Sequence, residues 1–109
     1  MQTKNLTDAG EVVLLAEVTK ASNKTFTDID LSPYRSVVLC GYKYSNSIDV
    51  HVAATTIPKN LLTVNSKYWT KYVAGGTDNS FGLARTANQT FTLEASGADN
   101  YGARFYGIK

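Results

Sequence analysis

Few side chains in this sequence could do covalent chemistry. It holds one cysteine, Cys40, and one histidine, His51. A nucleophile needs a base within reach, so these two make the only Cys/His pair. Cys40 closes the apolar run Val37-Val38-Leu39-Cys40, where a cysteine behaves as a small hydrophobe. His51 falls on the polar side of an alternating segment and reads as a solvated or cross-strand residue. Asp28 and Asp30 stand two apart, a spacing that sets both carboxylates on one face of a strand. There they could raise one pKa or hold a calcium ion, but nothing nearby completes a calcium loop. Asp78-Asn79 and Asp99-Asn100 are turn-type pairs. A Cys/His zinc site within one chain is excluded by the single Cys and single His. The sequence also lacks a P-loop, a dinucleotide glycine fingerprint and a metalloprotease HExxH. It therefore assigns no catalytic residue, metal or cofactor.

The aromatic residues suggest binding instead. There are seven Tyr and one Trp, and Tyr42, Tyr44, Tyr68, Trp69 and Tyr72 concentrate in the middle of the chain. A ring exposed beside Asn, Asp or Lys offers an apolar face to a sugar, while polar neighbours take its hydroxyls. Trp69, with Tyr68 or Tyr72 at its rim and Lys71 on its own side, is one such platform. Tyr42 and Tyr44 are further candidates. The alternative is that these rings are core or subunit-interface residues, where Tyr is also favoured.

These residues must be positioned by strands. Val, Ile, Thr, Tyr, Phe and Trp suit pleated surfaces, and no sustained i, i+3, i+4, i+7 apolar pattern marks a helix. Strands are expected at Glu11–Val18, Thr25–Leu31, Arg35–Tyr44, Ile48–Ala54, Leu61–Val64, Tyr68–Ala74, Ser80–Thr86, Gln89–Glu94 and Ala103–Ile108. Val37–Cys40 is apolar on both faces, as in a strand buried on both sides. A three-residue loop, 45–47, joins it to Ile48–Ala54, whose Ile48, Val50 and Val52 share one face. In Tyr68–Ala74, Tyr68, Thr70 and Tyr72 share one face and Trp69, Lys71 and Val73 the other. Ile57–Asn60 is expected as a loop because of Pro58. Turns fall at 32–34, 75–79, 87–88 and 96–100. Eight or nine short strands with turns every 8–12 residues give an all-β fold, an antiparallel sandwich resembling a jelly roll.

Composition bounds the rest. A chain of 109 residues is one domain, here 11–109 after a polar lead-in, 1–10. Charged residues make up 18%, below the usual value of about 25%. Thirteen Thr, eight Ser, eight Asn and eight Gly fill the gap. A net charge of +2 is too balanced for nucleic-acid binding. No apolar run reaches the length that spans a bilayer, so membrane insertion is not expected. Residues 1–10 lack the apolar region of a signal peptide. Export by that route is therefore not expected, and action outside the producing cell would require leaving it as part of a larger particle.

Several segments carry a resemblance. They are Val13-Leu-Leu-Ala16, Phe26-Thr-Asp-Ile-Asp-Leu-Ser-Pro-Tyr34 leading into Tyr34-Arg-Ser-Val-Val-Leu-Cys-Gly-Tyr42, and the terminal Ala103-Arg-Phe-Tyr-Gly-Ile-Lys109. Over residues 11–109 the chain resembles the C-terminal domain of tail-fibre, host-specificity and related tail proteins of phages and prophages. Phe105 stands where that family usually has Ile, and Leu83-Ala-Arg-Thr86 only loosely matches its Arg-Val-Thr strand. The resemblance implies a homotrimeric, non-enzymatic tip in the virion that contacts cell-surface saccharide of a bacterial host and other tail proteins. A structural tail or baseplate module is a second reading. A carbohydrate-binding module of a bacterial protein is a third, and a small hydrolase a fourth.

Overall fold

The computed structural model describes residues 10–45 and 47–109. Eight strands run in chain order: β1 (Val12–Val18), β2 (Asn23–Phe26), β3 (Ser36–Ser45), β4 (Ile48–Pro58), β5 (Ser66–Ala74), β6 (Thr77–Ala87), β7 (Thr90–Ser96) and β8 (Tyr101–Ile108). They form two four-stranded sheets, β1-β8-β3-β4 (sheet I) and β2-β7-β6-β5 (sheet II). Every pairing is antiparallel. The expected all-β sandwich is what the chain forms. The outermost pairs nest like a wrapped ribbon, β1 with β8 and β2 with β7. The inner strands leave that wrap and close as hairpins, β3 with β4 and β5 with β6.

Two-residue periodicity builds the core. Val37 and Leu39 of β3, Phe105 of β8, Phe81 and Leu83 of β6, and Phe91 and Leu93 of β7 all point between the sheets and are fully buried. Phe91 and Phe105 meet edge to face across the sandwich, with ring centroids 5.2 Å apart. The sheets approach so closely at Gly41 that an added Cβ would lie 2.3 Å from the Phe81 ring. At the end of the sandwich that carries the β7–β8 loop, the buried Asn79 acts as a pin. Its amide donates to the Tyr72 carbonyl at 3.1 Å, and its Oδ1 accepts from the Ala98 N–H at 3.0 Å. The tip of the β5–β6 hairpin is thus tied to that loop.

Several expected boundaries shift. The strand foreseen over 25–31 begins earlier, at Asn23, and ends at Phe26. Asp28 has φ 62°, so Asp28 and Asp30 do not share a strand face. Asp30 instead accepts hydrogen bonds from the Ser32 N–H and hydroxyl. These two bonds, with the charge of Lys59, hold its carboxyl below the usual range despite some desolvation. The segment 61–64 is not a strand: Lys59–Leu61 is a single 3-10 turn, and Leu62 drops into the core. Ile57 and Pro58, expected within a loop, instead end β4. An edge strand tolerates the proline, because the missing N–H need not face a partner.

Of the expected apolar face of β4, only Val52 packs against the core. Ile48 is 67% exposed. A bulge opposite Gly41/Tyr42 sets Gly41 against Ala53 and Tyr42 against His51, which reverses the alternation at Val52. The hairpin is also tighter than foreseen, since Ser45 pairs directly with Ile48; position 46 lies outside the described residues. The β5–β6 turn is only Gly75-Gly76, both at positive φ, as a two-residue hairpin requires. The β6–β7 turn moves to Asn88-Gln89. Of the lead-in expected at 1–10, only Gly10 is described. Its N–H donates to the Lys109 carbonyl at 2.7 Å.

Candidate functional site

The six aromatic and lysine candidates separate into three places, because strand alternation and the two-sheet fold divide them. Tyr42 and Tyr44 lie on the outer face of sheet I. Tyr68 and Tyr72 lie on the inward side of edge strand β5. Trp69 and Lys71 lie on the outer face of sheet II. Tyr68 and Tyr72 therefore do not form the rim of Trp69.

On sheet I, Tyr42 is fully buried even though it points away from the sandwich core. The Arg104 guanidinium lies over its ring, 3.9 Å from the centroid. Arg104 Nε bonds Glu17 and its NH2 bonds Asp49, each at 2.5 Å. Tyr42 Oη donates to Glu17 at 3.1 Å, and the hydroxyls of Tyr42 and Tyr44 are 3.1 Å apart. Burial opposes the Arg104 charge, but bonds to Asp49, Glu17 and Tyr106 outweigh it and push its pKa up. Burial, with the Tyr44 and Glu17 bonds, pushes the Tyr42 phenol up. The Tyr42 ring is thereby closed off, whereas Tyr44 stays 37% exposed and lines a recess with Lys20, Asp99 and Asn100. Cys40, across the ladder from Arg104, is buried as expected, and burial pushes its thiol up against the pull of Arg104. His51 is exposed opposite Tyr42, while Cys40 pairs with Ala54. Outer-face cover for Val37–Cys40 thus comes partly from the chain's own Arg104.

On β5, the Tyr68 hydroxyl donates to the Leu61 carbonyl at 2.7 Å, which anchors the 3-10 turn. Tyr72 packs against Tyr101, with centroids 6.2 Å apart. Both rings are tied to structure.

Trp69 is different. Its side chain is 48% exposed and lies on a polar sheet face. Register places Trp69, Gly82, Glu94 and Asn23 on one rung across all four strands of sheet II. Lys71, Ser80 and Ser96 form the next rung, and Lys67, Ala84, Thr92 and Thr25 the one before. The indole lies down over Gly82, where an added Cβ would come 2.9 Å from its Cζ3. Lys67 Nζ sits 4.1 Å from the indole centroid and 2.9 Å from Glu94 Oε1. Trp69, Lys71, Ser80, Glu94 and Ser96 enclose a recess of about 470 Å³. A second recess, beyond Glu94 and Ser96, is bordered by Ser22, Asn23 and Asp99. The two share Glu94 and Ser96, so a trough crosses sheet II with an aromatic at one end and hydroxyls, amide and carboxylates along it.

Sequence reasoning placed Trp69 and Lys71 together but missed Gly82, Glu94, Lys67, Ser80 and Ser96. The outward parity of Glu94 was legible; its rung was not. Asp30 lines another recess with Lys59, Arg85 and Asn88, but there Arg85 is spent on the Asn88 and Leu62 carbonyls. Among the described residues, no cluster of three or more His, Cys, Asp or Glu could hold a metal ion, and no helix is long and apolar enough to cross a membrane. Compared with family models, curated proteins and solved structures, the chain matches none.

Proposed function

We propose that this chain is a non-enzymatic receptor-binding domain at the tip of a phage tail fibre or related tail protein, and that it contacts cell-surface saccharide through the outer face of sheet II. The single observation that carries the saccharide reading is the half-exposed Trp69, laid flat on Gly82 and surrounded by Ser80, Ser96, Glu94 and Asn23. An aromatic plane beside convergent polar groups suits a pyranose, which has an apolar face and a hydroxyl rim. Placement in a tail fibre rests on the resemblance of residues 11–109. The non-enzymatic reading is supported by Cys40 being buried and Asp30 being committed to Ser32.

The domain acts as a homotrimer within the virion. Support comes from the outer face of sheet I, where Val12 is 57% and Leu14 50% exposed. Val12 is opposite Ile108, and Leu14 opposite Tyr106, which in turn faces Val38. This apolar strip also favours the second reading, a structural module that packs on other tail proteins.

Glycan-array and host-cell binding of Trp69→Ala separates the two readings. A stacked aromatic contributes about 1 kcal/mol beyond area burial. With the lost area burial added, binding should fall about tenfold or more, since 1.4 kcal/mol is a factor of ten, while the melting temperature moves by only a few degrees. A stable Trp69→Ala protein that binds host cells fully refutes the saccharide reading. Unfolding of the variant would make Trp69 scaffold.

A further inference from the structure

The Trp69 platform already holds a ligand-like group, and it is a cation. Lys67 and Trp69 are two apart on β5 and therefore on the same face. The Lys67 ammonium lies over the indole, 4.1 Å from its centroid, and is bonded to Glu94 Oε1 at 2.9 Å. An indole face and a carboxylate thus converge on one point, and the group filling it is a primary ammonium. Gly82 beneath the ring keeps the indole flat and turned toward Glu94. The side chains of Lys67 and Glu94 are 36% and 24% exposed, so this internal contact is screened and readily exchanged.

We propose, resting on the saccharide reading above, that this point is an ammonium seat and that the preferred ligand is a saccharide carrying a free amine, an unacetylated amino sugar. The ligand's ammonium displaces that of Lys67 from between Trp69 and Glu94, and its ring stacks on the indole. Exchange of one ammonium for another keeps both the cation–π contact and the charge-assisted hydrogen bond. A neutral sugar, or an N-acetylated one, displaces Lys67 without replacing either. Lys71 lines the far side of the same recess, and its charge confines the ligand's amine to the Glu94 side. Discrimination then comes from a group left without its partner when the wrong sugar binds.

Binding is read by titration calorimetry, which serves the wild-type chain and every variant alike. The probes are a glucosamine tetramer and its fully N-acetylated counterpart, titrated against the full chain at mildly acidic pH. The deacetylated tetramer should bind about fivefold or more tightly, and added salt should erode that preference. Glu94→Gln should abolish the preference, so that the two tetramers bind alike. Lys67→Ser, which removes the internal competitor, should tighten binding of the deacetylated tetramer. Equal binding of the two tetramers, both lost in Trp69→Ala, overturns the ammonium seat and leaves the saccharide reading standing. Binding of either tetramer that is indifferent to Trp69 overturns both. Weaker binding of the deacetylated tetramer by Lys67→Ser makes Lys67 a ligand contact and refutes displacement.

Discussion

At the scale of single residues, the sharpest contrast is between two aromatics of the same strand-rich region, Tyr42 and Trp69. Tyr42 points outward yet is sealed by Arg104, Glu17 and Tyr44. Its phenol titrates above the usual 10.0, chiefly through burial, so the folded state holds that proton more tightly than the unfolded one. This contribution is fully present below about pH 10 and is lost as pH rises through the raised folded value. Denaturant midpoints should therefore fall above pH 10, and less steeply in Tyr42→Phe; parallel declines would show that Tyr42 carries none of the slope. Cys40 should react slowly with thiol reagents in the native protein and rapidly in denaturant, with Cys40→Ala costing about 1 kcal/mol. The sequence indicated that Trp69 and Lys71 share a face and that Cys40 is buried, because both follow from alternation within a strand. It did not indicate that Glu94 reaches the ion held over Trp69. That depends on which rung of β7 meets Gly82, and cross-strand register is set by the whole sandwich rather than by either strand alone.

At the scale of elements, the strands with clean alternation or a doubly apolar run, β1, β3, β5 and β7, were legible within a residue or two. The misread ones have local reasons. Segment 61–64 is apolar enough for a strand, but Pro58 ends β4 and Leu62 serves as a core plug within a turn. Asp28 takes a left-handed conformation that composition alone does not announce. Two glycines test how the elements fit. Gly41→Ala drives a methyl into Phe81 and should cost about 1–3 kcal/mol, as overpacking does, read as a lowered denaturant midpoint; an unchanged midpoint would mean the sheets part freely there. Gly82→Ala lifts only the exposed indole, so glycan binding should drop while the midpoint stays put. β8 lies between β1 and β3, so deleting residues 104–109 strips both of partners. That truncation should be insoluble, and a cooperatively melting product would show that β8 is dispensable.

At the scale of the whole molecule, the domain measures 50 × 32 × 19 Å, a flat slab with two unlike broad faces. One bears the polar trough of sheet II, the other the apolar strip of Val12, Leu14 and their neighbours. The proposed trimer, formed through the apolar strip, would leave the trough free. Native mass measurement should give three copies, and Leu14→Lys should give a folded single copy; a wild-type single copy at micromolar concentration would refute the assembly. The hydrogen bonds between Gly10 and Lys109, and between Lys109 and Glu11, set the two ends of the ladder side by side on antiparallel strands. Mechanical tension applied across residues 10 and 109 would load β1 and β8 as a zipper, breaking one rung at a time, rather than in shear across all rungs at once. Load that enters through β1 alone meets no such peeling geometry, because it passes into the slab without pulling residues 10 and 109 apart.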